Sequence, residues 1–82
     1  MKTAICAVYD MTANLYGAPF SATNEQVAIR QFQAELTNVQ ANGPMQTHPQ
    51  DFKLFALGTF DNETATYELY QQPLFLYQGT QA

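Results

Sequence analysis

The order of apolar and polar positions along the chain changes period several times, and each change marks an element. Thr3–Asp10, "TAICAVYD", is rich in β-branched and aromatic residues and closes on a polar residue, which predicts a strand. Met11–Gly17 carries the Asn and Gly of a connection, and Ala18–Ala22, "APFSA", predicts a short second strand. Pro19 places that strand at a sheet edge, because proline has no N–H to give to a ladder. The period then becomes helical. Thr23 followed three residues later by Gln26 forms a capping-box pattern, and Ile29, Phe32, Leu36 and Val39 recur at helical spacing. Glu25 in the first turn suits the helix dipole, and the helix is expected over about residues 24–39.

Gln40–Gln50 contains Asn42-Gly43-Pro44 and Pro49, which end the helix and predict a loop. After it, "DFKLFALGTFD" (51–61), the turn "NETA" (62–65) and "TYELY" (66–70) read as a hairpin. Gln72-Pro73 breaks the run, and "LFLY" (74–77) is left as an edge strand or a tail packed on the sheet. The expected fold is α+β, a small antiparallel sheet of four or five strands with one helix on one face, in the order β-β-α-β-β. It is expected to be a single domain over residues 1–82.

The segment 53–61 is apolar on both faces, so it needs cover on both. If Lys53 reaches water, Phe55, Leu57 and Thr59 share its outer face, while Leu54, Ala56, Gly58 and Phe60 meet the helix. Ala56 and Gly58 are small enough for a close helix approach. The same alternation turns Tyr67 and Leu69 inward and Glu68 and Tyr70 outward, with Tyr9 also outward. A sixteen-residue helix is only about 24 Å long and covers one face of a small sheet, not two. An apolar face left bare on a soluble protein marks an interface. Phe55, Leu57, Thr59 and Tyr70 are therefore the candidates for self-association, with a homodimer as the simplest assembly.

Composition narrows the chemistry. Charged residues make up 12% of the chain, about half the usual share, so its polar surface rests largely on neutral side chains such as its glutamines. A net charge of −4, with Lys2, Arg30 and Lys53 as the only cations besides the chain terminus, offers no basic patch for tracking a duplex backbone. Cys6 stands alone in an apolar strand with no cation near it in sequence, which reads as a buried inert thiol in a reducing compartment. His48 is the single histidine, and His48-Pro49-Gln50-Asp51 lacks the further ligands a metal site needs. Neither a Cys6–His48 nucleophile pair nor an Asp10–Asp61 carboxylate pair comes with a pocket, and the four glycines form no phosphate loop. No enzyme activity, catalytic residue, metal or cofactor is expected. Nor is a membrane segment, since no run approaches the roughly eighteen apolar residues of a spanning helix.

Several short motifs taken in order resemble one family. They are Tyr9-Asp10, Pro19-Phe20, Ala28-Ile29-Arg30 with Phe32, Pro49 with Asp51-Phe52, and Leu57-Gly58 with Phe60-Asp61. In this order and spacing the chain resembles the small nonstructural protein of gokushoviruses, single-stranded DNA phages of the Microviridae. The chain departs from the family at the hairpin turn, where Ala65 stands in place of a frequent glycine. The resemblance implies a non-structural protein of the host cytoplasm that acts in single-stranded genome synthesis or packaging, with single-stranded DNA or a phage replication protein as partner. Tyr9, Phe55 and Tyr70 could then stack bases while Lys2, Arg30 and Lys53 meet phosphates. The alternative is a host-directed inhibitor or adaptor that binds a bacterial protein through the same patch.

Overall fold

A computed structural model of the chain describes residues 1–80; of the glutamines, Gln81 lies outside them. Five strands form one antiparallel sheet: β1 (Lys2–Asp10), β2 (Leu15–Tyr16), β3 (Phe20–Ala22), β4 (Phe52–Asp61) and β5 (Thr66–Gln78). Helix α1 (Glu25–Leu36) follows β3, and a single-turn helix α2 (Pro44–Thr47) and a 3-10 turn (Pro49–Asp51) precede β4. The α+β class holds, with strand predominant. The order β-β-α-β-β does not, because β2 adds a strand before the helix and α2 forms inside the expected loop.

β1 is the central strand. One of its edges pairs with β4 over its whole length, Lys2 opposite Asp61 through Asp10 opposite Phe52. Its other edge is shared by β2 and β3 in tandem. Gly17 N–H donates to Val8 O at 2.8 Å in the gap between them. Pro19 has no N–H to continue that ladder, and β3 begins directly after it.

Two turns have one construction. In each, an Asp carbonyl accepts from the N–H four residues on, Asn14 to Asp10 and Ala65 to Asp61, both at 2.8 Å. In each the Asp Oδ1 also accepts from turn amides, those of Thr12 and Ala13 at Asp10 and that of Glu63 at Asp61. Asn14 and Ala65 both take the left-handed conformation, at φ 59° and 58°. The left-handed turn thus forms without the glycine that its backbone favours.

Helix α1 is shorter than the apolar spacing predicts. Asn24 is its N-cap, accepting Val27 N–H at 2.9 Å, so Thr23 and Gln26 form no capping box. At the other end Thr37 Oγ1 bonds back to Gln33 O, and Asn38 Oδ1 accepts the N–H of Gln40. These short polar side chains give the backbone local partners that compete with further helix. Val39 therefore leaves the apolar stripe and stands 92% exposed. Half of a capping box occurs at α2, where Gln46 Oε1 accepts Gly43 N–H at 3.0 Å while Gln46 Nε2 donates to Glu35 O.

The core lies between α1 and one sheet face. Ala28, Phe32 and Leu36 of the helix meet Ala4, Cys6, Ala22, Phe52, Leu54 and Ala56, with Ile29 and Val27 partly buried beside them. Phe32 also meets Tyr77 edge to face. At 1.5 Å per residue the twelve-residue helix is about 18 Å long. The molecule measures 39 × 24 × 16 Å, so the helix covers less than half its length.

Strict alternation along β4 fails at Leu57. Ile5 pairs with Gly58 and Cys6 with Ala56, which leaves Leu57 as an extra residue in a bulge. An odd insertion reverses every side chain beyond it. Thr59, opposite the core residue Ala4, consequently faces the helix side, while Phe60 turns to the outer face with Phe55. The reversal carries into β5, where Tyr67 pairs with Phe60 and Leu69 with Gly58, placing both outward and Glu68 on the helix side. The expected positions of Thr59, Phe60, Tyr67, Leu69 and Glu68 are all corrected by this one residue. Gly58 is small for a different reason than helix approach: a side chain there would meet Glu68 O at 2.1 Å and Leu69 Cα at 2.7 Å. β5 occupies that space.

Candidate functional site

The outer sheet face is partly covered by the chain itself. Ala7, 1% exposed, and Ile5 are buried although neither belongs to the core under the helix. Beside Ala7 stands an aromatic cluster: Tyr9 and Tyr16 have ring centroids 4.8 Å apart, Phe55 lies 6.2 and 5.7 Å from them, and Phe75 lies 5.8 Å from Phe55. The other twin turn supplies a second pair, Phe60 and Tyr67, also at 4.8 Å. Each turn has the form aromatic-Asp, a left-handed residue four positions after the Asp, then Tyr two positions later. Sequence reading missed this repeat, although Tyr9-Asp10…Tyr16 and Phe60-Asp61…Tyr67 carry it at identical spacing.

What remains bare is β5. Tyr67, Leu69, Tyr70, Leu74 and Phe75 are 41–69% exposed and contribute half of the ten large apolar side chains exposed among the described residues. The ladder to β4 runs over Thr66–Leu69 and resumes at Leu74, so Tyr70–Pro73 form a four-residue excursion opposite Leu57. The expected break at Gln72-Pro73 is this interruption, and "LFLY" continues on the same partner strand. β5 is followed by Gly79, whose N–H donates to Phe52 O and whose missing side chain leaves room for Pro49 O.

The candidate residues divide among three places. Tyr9, Phe55 and Lys53 share the outer face, where Lys53 pairs with Tyr9 across β1 and β4. Tyr70 is exposed in the β5 excursion. Lys2 is on the helix-side face, 2.9 Å from Glu68, whose hydrogen bond and charge raise its ammonium above the ordinary value. Arg30 is exposed on α1, on the other layer of the molecule. The six proposed nucleic-acid residues are thus not one surface. Of the four self-association candidates, Phe55 faces outward, Tyr70 is exposed, Leu57 is the bulge and Thr59 lies on the opposite face.

The remaining chemistry is spoken for by local bonds. A hollow of about 350 Å³ is lined by Asp10, Thr12, Pro44, His48, Asp51 and Phe52. Within it Asp10 caps its turn, Asp51 accepts from Thr12 Oγ1 at 3.2 Å, and His48 Nδ1 lies 2.9 Å from Thr47 Oγ1. Asp51 thus reaches across to the β1–β2 turn. Another groove, about 370 Å³, runs past Lys2, Thr59 and the start of α1. Cys6 is fully buried, and burial, with a smaller contribution from the charge of Glu25, pushes its thiol up to about 11. Among the described residues no three His, Cys, Asp or Glu side chains gather as metal ligands, and no helix is long and apolar enough to cross a membrane.

This arrangement defines a small strand-rich α+β protein that presents an apolar strand and an aromatic sheet face. The chain matches the phage ORF5 protein family over residues 3–82, and it belongs to that family. No curated protein and no solved structure matches it.

Proposed function

We propose that the protein is a non-enzymatic phage nonstructural protein of the gokushovirus type, in the Microviridae, that self-associates through its open sheet surface in the host cytoplasm. In that form it assists synthesis or packaging of a single-stranded DNA genome. One observation carries the self-association: the exposed apolar side chains are concentrated on β5, and a bare apolar surface of this kind on a small protein marks an interface. The phage family supplies the context. Support for contact with single-stranded DNA comes from Lys53, the one charged side chain on the outer face, which stands beside the Tyr9–Phe55 cluster while the acids lie elsewhere. Aromatic stacking is worth about 1–3 kcal/mol per base.

Sedimentation with and without a single-stranded oligonucleotide tests both parts. A concentration-dependent dimer that Leu69→Lys dissociates and Val39→Lys does not is the expected result. Binding of the oligonucleotide should weaken with salt and with Phe55→Leu. A monomer at every concentration removes the self-association, and no binding at low salt removes the DNA contact. In that case capture of a specific bacterial protein would favour the host-directed inhibitor or adaptor reading.

A further inference from the structure

Resting on the self-association reading, we infer that the seam is the free edge of β5, paired antiparallel with β5 of a second copy about a twofold axis at Gln71. Three features of the strand carry this. The first is its position. The far edge of β1 is covered by β2 and β3, which leaves thirteen-residue β5 as the long open edge of the sheet. Open edges are normally guarded by charge, above all lysine, by proline or by bulges, and in β5 Pro73 and the excursion supply such a guard only at the centre of the strand. β5 contains one charged residue, Glu68, and Lys2 neutralises it.

The second feature is apolar surface on both sides of the strand. Tyr67, Leu69 and Phe75 face outward by their pairing with Phe60, Gly58 and Phe55, and Leu74 faces the helix side by its pairing with Ala56. A strand apolar on both faces belongs inside a sheet, not at its margin. With roughly 150–250 Å² on each aromatic side chain, Tyr67, Tyr70 and Phe75 present on the order of 300 Å² at their 41–64% exposure, and Leu69 and Leu74 add to it. Backbone and neighbouring atoms add to this, against the roughly 800 Å² per partner of a stable interface.

The third feature is register. The excursion Tyr70–Pro73 has four residues, an even number, so Thr66–Leu69 and Leu74–Phe75 keep a common alternation across it; Leu76 is a second extra residue, beyond which Tyr77 lies on the helix side against Phe32. A twofold at Gln71 sets Tyr67 opposite the second copy's Phe75 and Glu68 opposite its Leu74. Outward residues meet outward ones, and two acids never face each other. Pro73 and the excursion fall at the axis, so they interrupt only the centre and leave a short ladder on each side. The aromatic rows of the two sheets then run on from one copy to the other.

The seam is tested by cross-linking the full chain. Paired Cα atoms across antiparallel strands lie about 4.5–5.5 Å apart, within the roughly 4.4–6.8 Å of a disulfide. Under mild oxidation an equal mixture of Glu68→Cys and Leu74→Cys chains, which stand opposite each other in the short ladders beside the axis, should form a mixed covalent dimer at least tenfold faster than Val39→Cys forms one, with Cys6 unreactive in each. If the wild-type protein dimerises but that mixture cross-links no faster than Val39→Cys, the seam is overturned and self-association through another surface stands. If the wild-type protein sediments as a monomer at all concentrations, both are overturned.

Discussion

Ala65 holds the left-handed backbone conformation that Asn14 holds in the matching turn, φ 58° against 59°, and each N–H donates to an Asp carbonyl at 2.8 Å. Asparagine tolerates this region through its short polar side chain, whereas alanine has no such compensation. Ala65→Gly is therefore expected to stabilise the protein by about 1 kcal/mol, raising Tm by roughly 4–8 °C for a domain of this size. Thermal unfolding followed by circular dichroism reads it directly. An unchanged or lower Tm would contradict the turn geometry.

Gly58→Ala should act in the opposite direction. The added Cβ would sit 2.1 Å from Glu68 O, a backbone atom, so β5 has to move away from β4. The expected loss is about 3 kcal/mol, the upper range of overpacking. Hydrogen exchange should show β4–β5 amides losing protection while β1–β4 amides keep theirs. A loss below about 1 kcal/mol would mean that β5 does not approach so closely.

Asp61 gives the stability a dependence on acid. Its carboxylate accepts the Glu63 N–H and lies 3.5 Å from the chain-terminal ammonium; the amide hydrogen bond first, then that charge, hold it below the ordinary carboxylate value. A group depressed in the folded state stabilises above its unfolded pKa of about 3.9 and ceases to do so as pH falls through the folded value. Urea midpoints of the wild type and Asp61→Asn should differ at pH 6 and converge as pH falls below the unfolded carboxylate value of about 3.9 and through the lower folded one. Parallel curves over that range would exclude the linkage.

Cys6 is expected to be silent in the native state. It is fully buried and its thiol is pushed up to about 11, so thiolate is scarce and unreachable at neutral pH. Labelling by a thiol reagent at pH 8 should be at least about a hundredfold slower in the folded protein than in urea, tracking unfolding. Rapid native labelling would place Cys6 outside the core.

Much of this was legible from apolar spacing alone. Leu54 and Ala56 at the centre of β4, Phe32 and Leu36 on the helix, and the edge position around Pro19 follow from local period and chemistry. Leu57 marks the limit. A bulge arises from how three strands fit together, and nothing local distinguishes "FALGTF" with a slip from the same residues without one. The end of α1 was misjudged for a related reason: Val39 keeps the helical spacing, but Thr37 and Asn38 satisfy the backbone locally before it is reached. The candidate site suffered most: the bulge reversed Thr59, and the alternation of β1 itself puts Lys2 on the face opposite Tyr9.

The central place of β1 also shapes how the chain can assemble. Its main partner, β4, begins forty-two residues after β1 ends, so that pairing closes a long loop and belongs to the slow part of folding. β2 and β3 follow within twelve residues and occupy its opposite edge through short-range contacts. Both are synthesised before β4, so they are the partners that β1 has within reach while its other edge is still unpaired. These two small strands act as a built-in guard against aggregation before the sheet exists.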